Sequence, residues 1–491
     1  MTSERPTPIA GNIHVGDVIE SHDSEKSSAL EIPDAYPPQT TKPIDMPPDG
    51  GYGWVCVASV FVINFHTWGL NSSYGVFLSH YLTFDTYPGA TSLEYAFVGG
   101  LSISTALLTS PISTIVCRRY GTQVALSIGI VFETAGLLGA SWATRIWQLF
   151  LSQGVSFGVG MGFLFIASVG VIPQWFSKKR SFANSIGTSG SGIGGLAYSL
   201  AVNRIIQTLG LDWAFRILAI VSCVMNVLAT IVIRDRNKAV EAIQNAFHLP
   251  LLKQVEFLLL VGWGIFSELG YVVLLFSLVN YARSVGLTAT QGSVVGAMLN
   301  LGQGIGRPFI GYFSDAAGRI NIAGGCTFLA GLFCLLIWIF AKSYGVLIFF
   351  ALTGGAVAGT FWTVIGPVGA EVVGVALLPS ALSMTWVILV LPTSFSEPIG
   401  LQLRRSSGNI YLDAQLFAGF MYLGGATCVL FLRAWKIAEI ERQAAVSREQ
   451  REQEIRDNDA VKNDVPSVRR QMSRTASVKT ATKGLWSWQR V

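Results

Sequence analysis

The chain of 491 residues is 51% hydrophobic and only 13% charged, with a formal net charge of +5. Soluble globular domains carry roughly 25% charged residues, so this composition cannot clothe a water-exposed surface and excludes a soluble enzyme or binding module. The small positive excess gives no ground for a nucleic-acid partner.

Residues 1–48 are polar and proline-containing, without an apolar core, and read as a disordered cytosolic tail. They lack the apolar run of a cleavable signal peptide, so the first membrane helix is expected to direct insertion itself. Apolar blocks follow at 54–78, 95–116, 122–142, 147–172, 181–202 and 213–233, then at 254–279, 290–313, 322–340, 344–366, 380–400 and 412–432. Each matches the roughly 20 residues a helix needs to cross a bilayer. The expected fold is an all-α membrane protein of twelve transmembrane helices. Its first half spans 49–233, a cytosolic linker 234–253, its second half 254–432 and a cytosolic tail 433–491. Within that last tail a short helix is expected near 434–456.

Connectors that would lie inside carry Arg118, Arg119, Lys178, Lys179, Arg180, Arg234, Arg236, Lys238, Lys253 and Arg319, more basic residues than the outer ones. This bias predicts both termini in the cytosol. The cysteines show no metal-binding or CxxC spacing and are expected to be free thiols. In the last tail, Arg470 to Ser473 and Arg474 to Ser477 read Arg-x-x-Ser, which makes Ser473 and Ser477 candidates for phosphorylation by a basophilic kinase.

Sliding the chain by 197 positions lays SPISTIVCRRYGTQV, from Ser110, over RPFIGYFSDAAGRIN, from Arg307. Pro111 meets Pro308 and Gly121 meets Gly318. Two six-helix halves of one layout imply a pseudo-symmetric carrier with its site near the midplane between them.

The stretch Gly-x-x-Ser-Asp-x-x-Gly-Arg at Gly311 to Arg319, with Asp315 and Gly318 inside it, resembles the signature loop of the major facilitator superfamily. DGGYGW, from Asp49, Gly50 and Gly51 to Trp54, is similar to the entry motif of that superfamily's monocarboxylate transporter family. WFSKKRSFANSIGTSGSGIGG, Trp175 to Gly195, with Arg180 in it, resembles the same family's segment opening the fifth helix. Among its members the fungal branch is the most similar. The resemblance implies alternating-access transport, with Asp49, Gly50, Gly51, Arg180, Gly311, Asp315, Gly318 and Arg319 in gating or conformational roles. A plainer reading gives Asp49 the dipole of the first helix, Tyr52 and Trp54 an interfacial anchor, and the basic run the positive-inside bias.

The eighth block places Gly296, Asn300, Gln303, Arg307 and Gly311 on one helical face. At 1.5 Å per residue Arg307 lies roughly 12 Å above Asp315, within the hydrocarbon. A central arginine costs about 2.5 kcal/mol or more, so it must face protein or a water-filled cavity. There its guanidinium offers a forked, permanent receptor for a carboxylate; the competing role is a structural ion pair with Glu133 or Glu268. The family resemblance adds that the arginine of its Arg-Pro pair binds substrate. Trp68 and Ser72 fall at its pocket positions, and Asn184 resembles a substrate-region asparagine.

In the first block Asn64, Thr67, Asn71 and Tyr74 form a stripe, with Trp68 and Ser72 beside it, while His66 and Ser73 point the other way unless the helix is distorted. Glu268, Glu133 and His66 are the candidates for proton coupling; for His66 a packed, hydrogen-bonded role is the competing reading. Phe361, Trp362 and Trp386 are candidates for bounding the pocket. Two departures from the animal proton-coupled members stand out: Ser72 replaces a lysine and Gln303 an acidic residue.

GSGIGG, Gly190 to Gly195, fits the dinucleotide pattern formally, but it lies inside an apolar span rather than between strand and helix. No Walker A lysine motif or HExxH occurs, so an enzyme is not expected, nor a cofactor or metal. The expected partners are a small organic substrate, protons as a candidate co-substrate, and the lipid bilayer. The expected substrate is a small organic anion, foremost a monocarboxylate. Riboflavin uptake and secondary-metabolite efflux stand as alternatives within the class, and a transport-like sensor as the alternative outside it. The plasma membrane is the expected location, with the vacuole or another internal membrane as alternatives.

Overall fold

A computed structural model describes residues 47–84, 86–237, 247–405 and 408–462. Ser473, Ser477 and nearly all of the expected N-terminal tail lie outside them. The described residues form no strand. In chain order the helices are α1 (Gly53–His66), α2 (Trp68–Ser72), α3 (Tyr74–Phe84), α4 (Ser92–Leu108), α5 (Ser110–Tyr120), α6 (Thr122–Ala140), α7 (Ile146–Leu149), α8 (Phe157–Val169) and α9 (Ile172–Trp175). Then come α10 (Arg180–Leu209), α11 (Leu211–Val232), α12 (Val255–Ser284), α13 (Ala289–Ala317), α14 (Arg319–Leu336), α15 (Tyr344–Ala358), α16 (Thr360–Gln402) and α17 (Leu412–Lys462).

Among these residues eight helices are long and apolar enough to cross a membrane, or nine when the bent pair around Thr109 counts as one span. The 59-residue run Tyr344–Gln402 is more than twice what one crossing needs. It kinks at Gly374, whose φ of 80° is left-handed backbone that favours glycine and divides the run into two helices. Helices α10 and α13 are 30 and 29 residues long but richer in glycine and polar side chains. With these the architecture is that of twelve crossings in two halves.

The repeat extends further than the motif suggests. Thr91 caps α4 in a capping box with Glu94, and Thr288 caps α13 in one with Gln291, again 197 positions apart (91 to 288, 94 to 291). Each box satisfies backbone N–H groups that the first turn leaves without partners. At the other end Gly121 (φ 90°) and Gly318 (φ 103°) each turn the chain into the next helix. The copies differ at proline: α4 breaks into α5 by 40° just before Pro111, whereas α13 runs on through Pro308.

The first block is not one straight helix. It breaks at Thr67 (φ −101°, ψ −82°) and again at Ser73, where hydroxyls of Thr67, Ser72 and Ser73 donate back to carbonyls three and four residues earlier. The last block differs too. Instead of a separate short helix, α17 continues to Lys462, tied down where Arg433 donates to Asn321 at 2.6 Å and Lys436 to the Glu371 carbonyl at 2.9 Å.

Helix α10 lies between the halves, and its glycines explain how. A Cβ on Gly190 would sit 2.1 Å from the Phe61 carbonyl, and one on Gly194 2.4 Å from that of Phe65, so both face α1. A Cβ on Gly192 would lie 2.4 Å from the Gly304 backbone nitrogen in α13. GSGIGG is therefore a two-sided packing surface.

Candidate functional site

Arg307 projects from α13 of the second half and its guanidinium reaches α10 of the first. One Nη donates to the Thr188 carbonyl at 2.6 Å and to the Ser191 hydroxyl; the other donates to Gln303 Oε1 at 2.8 Å. Gln303 Oε1 also accepts from the Tyr271 hydroxyl at 2.9 Å. Arg307 Nε is buried and makes no hydrogen bond among the described residues. Glu268, on α12, is within electrostatic reach of Arg307 and beside the Trp362 indole. No Glu268–Arg307 ion pair forms among the described residues, and Glu268 Oε1 is buried without a partner. The guanidinium rests against Gly359, where a Cβ would come 3.0 Å from Nη2 and 3.3 Å from Nε.

Below this cluster, toward Trp386, aromatic rings from both halves fill the centre. Trp68 and Phe165 come from the first half, Trp362 and Trp386 from the second. Trp68 and Trp362 stand 4.9 Å apart, Phe165 and Trp386 5.4 Å, and Trp362 stacks on Trp386 at 5.3 Å with planes 6° apart. Beyond Trp386 a cleft of about 40 Å³, lined in part by Thr114, Cys117, Gln174 and Ser383, opens between the halves. It has room for a few water molecules.

Other expected site residues stand as follows. Asn300 and Ser72 both crowd Gly195, where the halves approach. Asn184 crosses the interface, donating to the Thr363 carbonyl at 2.7 Å. Asn71 accepts from Ser102 at 2.9 Å, a contact inside the first half. His66 meets the Tyr198 hydroxyl at 2.5 Å and Glu133 accepts from Asn226 at 2.7 Å, so these belong to contacts inside the first half. Neither reaches Arg307, so of the two carboxylates proposed to pair with it only Glu268 is near. Ser191, Gly359 and Phe165 were not foreseen from sequence: the first two look like packing residues in a glycine-rich run and at a helix end, and Phe165 like lipid-facing bulk.

At the charged end, two carboxylates serve the start of α10. Asp49, with φ of 52°, accepts from the Ser177 and Lys178 backbone N–H groups at 2.7 Å each, so it serves this segment rather than α1. Asp315 reaches across from α13 to the N–H groups of Ser181 (3.1 Å) and Phe182 (2.9 Å), where helix dipole and unpaired donors favour an anion. Arg319 pairs with Asp315 at 3.1 Å and Glu371 at 2.9 Å and donates to the Ser177 carbonyl at 2.6 Å. Arg180 is buried, donating to the Phe176 carbonyl at 2.9 Å. Gly311 lets α13 approach Ser185, while Gly50 and Gly51 shape the turn into α1.

These contacts join the halves on the charged face. Hydrogen bonds to charged groups contribute about 1.5–3 kcal/mol each, so Asp315→Ala is expected to part the halves there. In a variant retaining Cys117 as its sole cysteine, maleimide labelling of that cleft residue should accelerate several-fold; an unchanged rate would show that these contacts do not hold the halves closed.

Residues 56–275 match the family model described as Major Facilitator Superfamily. The chain is 36% identical over 414 residues to Probable transporter MCH2 of Saccharomyces cerevisiae, covering 82% of this chain and 88% of that protein. It is 27% identical to the Fujikurins efflux protein of Gibberella fujikuroi (87% and 92% covered) and 26% identical to Monocarboxylate transporter 12 of Rattus norvegicus (79% and 87%).

Proposed function

Since this chain belongs to the major facilitator superfamily and is a membrane transporter, we propose that it carries a small organic anion by alternating access, with Arg307 holding the negative charge. One observation carries this reading: Arg307 is buried between the halves, yet every acceptor it reaches is neutral. A buried arginine without a paired anion is costly, and a substrate carboxylate would relieve that cost when it enters. The acceptors now engaged on α10 are those the carboxylate would displace, so loading and the separation of the halves are coupled.

A monocarboxylate is the foremost substrate, in keeping with the similarity to Monocarboxylate transporter 12. Similarity to the Fujikurins efflux protein, with the aromatic centre, favours a larger secondary metabolite as the second reading. Glu268 is the proposed proton carrier because it is a buried carboxylate within electrostatic reach of Arg307. The charged face is the cytosolic one by its basic connectors, and the plasma membrane is the proposed location. Labelled pyruvate supplied to proteoliposomes tests the coupling. An inward proton gradient should speed uptake several-fold, and Glu268→Gln should remove that stimulation; equal stimulation in the variant would exclude Glu268.

A further inference from the structure

Around Arg307 the centre holds more hydrogen-bonding capacity than the protein itself uses. The indole Nε1 groups of Trp68 and Trp386, Arg307 Nε and Glu268 Oε1 are shielded from solvent and make no hydrogen bond among the described residues, while the Trp362 indole lies against the Glu268 carboxyl. Trp386 is fully buried, Glu268 and Arg307 are 1% and 5% exposed, and Trp362 is 8% exposed. Buried polar groups are ordinarily satisfied, and each exception needs a reason. These groups share one place: Trp68 and Trp362 touch, Trp362 stacks on Trp386, and Glu268 lies beside Trp362 and within electrostatic reach of Arg307.

The geometry of these groups selects among anions. The donors are set into aromatic rings whose faces offer stacking surface, and Phe165 closes the side at 5.8 Å from Trp362 and 5.4 Å from Trp386. A ligand that parts these rings must replace their mutual contacts. A flat conjugated ring does so by offset stacking, at ring separations of about 4.5–7 Å. A short aliphatic acid covers little of the parted faces, and a puckered ring makes fewer close contacts with them than a flat one. Gly359, with no Cβ, lets the backbone of the α15–α16 break that carries Trp362 pack against the guanidinium.

We propose that Trp68, Trp362 and Trp386 with Arg307 form a site selective for flat, conjugated ring carboxylates whose other acceptor atoms take the Trp68 and Trp386 indole N–H groups. The inference rests on the organic-anion reading and narrows it to a substrate class. Trp362, shared by the stack and by Glu268, sets that preference.

Binding to the purified full-length chain in nanodiscs, followed by tryptophan fluorescence, separates the two levels. The probes are 2-naphthoate, benzoate, cyclohexanecarboxylate and the neutral benzamide. Benzoate and 2-naphthoate should bind about tenfold more tightly than cyclohexanecarboxylate, the margin expected of aromatic pairing. Benzamide should bind at least about tenfold more weakly than benzoate, because it lacks the charge held by Arg307. Trp362→Leu should bring the benzoate to cyclohexanecarboxylate ratio toward one, while Trp362→Phe, which keeps a stacking face, should preserve most of it. Equal affinity for benzoate and cyclohexanecarboxylate would overturn the flat-ring inference and leave the anion reading standing. Benzamide binding as tightly as benzoate would overturn the anion reading instead, and binding of no carboxylate by folded protein would overturn both.

Discussion

Arg307→Ala is expected to lower transport at subsaturating anion by about 100-fold while leaving folded, monodisperse protein. Truncating one partner of a buried charged pair costs about 2–5 kcal/mol, and about 3 kcal/mol corresponds to roughly two factors of ten. The side chain connects Thr188 and Ser191 of α10 with Gln303 of α13, so its removal also loosens the apposition of the halves. Arg307→Lys keeps the charge but loses the planar fork, and its transport should fall between wild type and alanine. Uptake at matched surface expression checks the series. Wild-type rates in the alanine variant would remove Arg307 from the site.

The second large effect is expected at Gly192. An added Cβ would press 2.4 Å from the Gly304 nitrogen and 2.8 Å from the Asn300 carbonyl oxygen, atoms of the opposing helix backbone that cannot rotate away. Overpacking of this kind costs about 1–3 kcal/mol, charged here against the state in which α10 and α13 touch. Gly192→Val should therefore cut transport at least about tenfold and leave anion binding measurable, because a conformation is lost rather than a ligand contact. Gly190→Val makes the contrast: it meets the Phe61 carbonyl inside the first half, so it should lower thermal stability. Normal transport by Gly192→Val would contradict an interface that must close at this level.

Much of this organisation is legible before any coordinates. Block lengths announce twelve crossings, and the 197-residue offset relates Gly121 to Gly318, both found in left-handed backbone. The same offset relates the Thr91 and Thr288 capping boxes, a match open to inspection because Thr-x-x-Glu and Thr-x-x-Gln are local signatures. Placing Arg307 on an inward face needed only helical period and the cost of burying charge. The rest depends on distance between segments far apart in sequence. Nothing local says that Asn71 turns toward Ser102, that Glu133 meets Asn226, or that Asp49 serves the start of α10. Helical projection also fails in the first block because Thr67 and Ser73 break the helix on which it was drawn. The tryptophans are visible one by one, but their convergence is a tertiary fact.

Counterflow tests the central claim most directly, because it requires a site that faces one side at a time. Proteoliposomes loaded with unlabelled pyruvate or benzoate and diluted into a trace of the same labelled anion should accumulate label transiently above equilibrium with wild-type protein. With Arg307→Ala they should not. Label that only equilibrates with wild-type protein, or an overshoot that survives the loss of Arg307, would contradict an anion carrier working through this arginine.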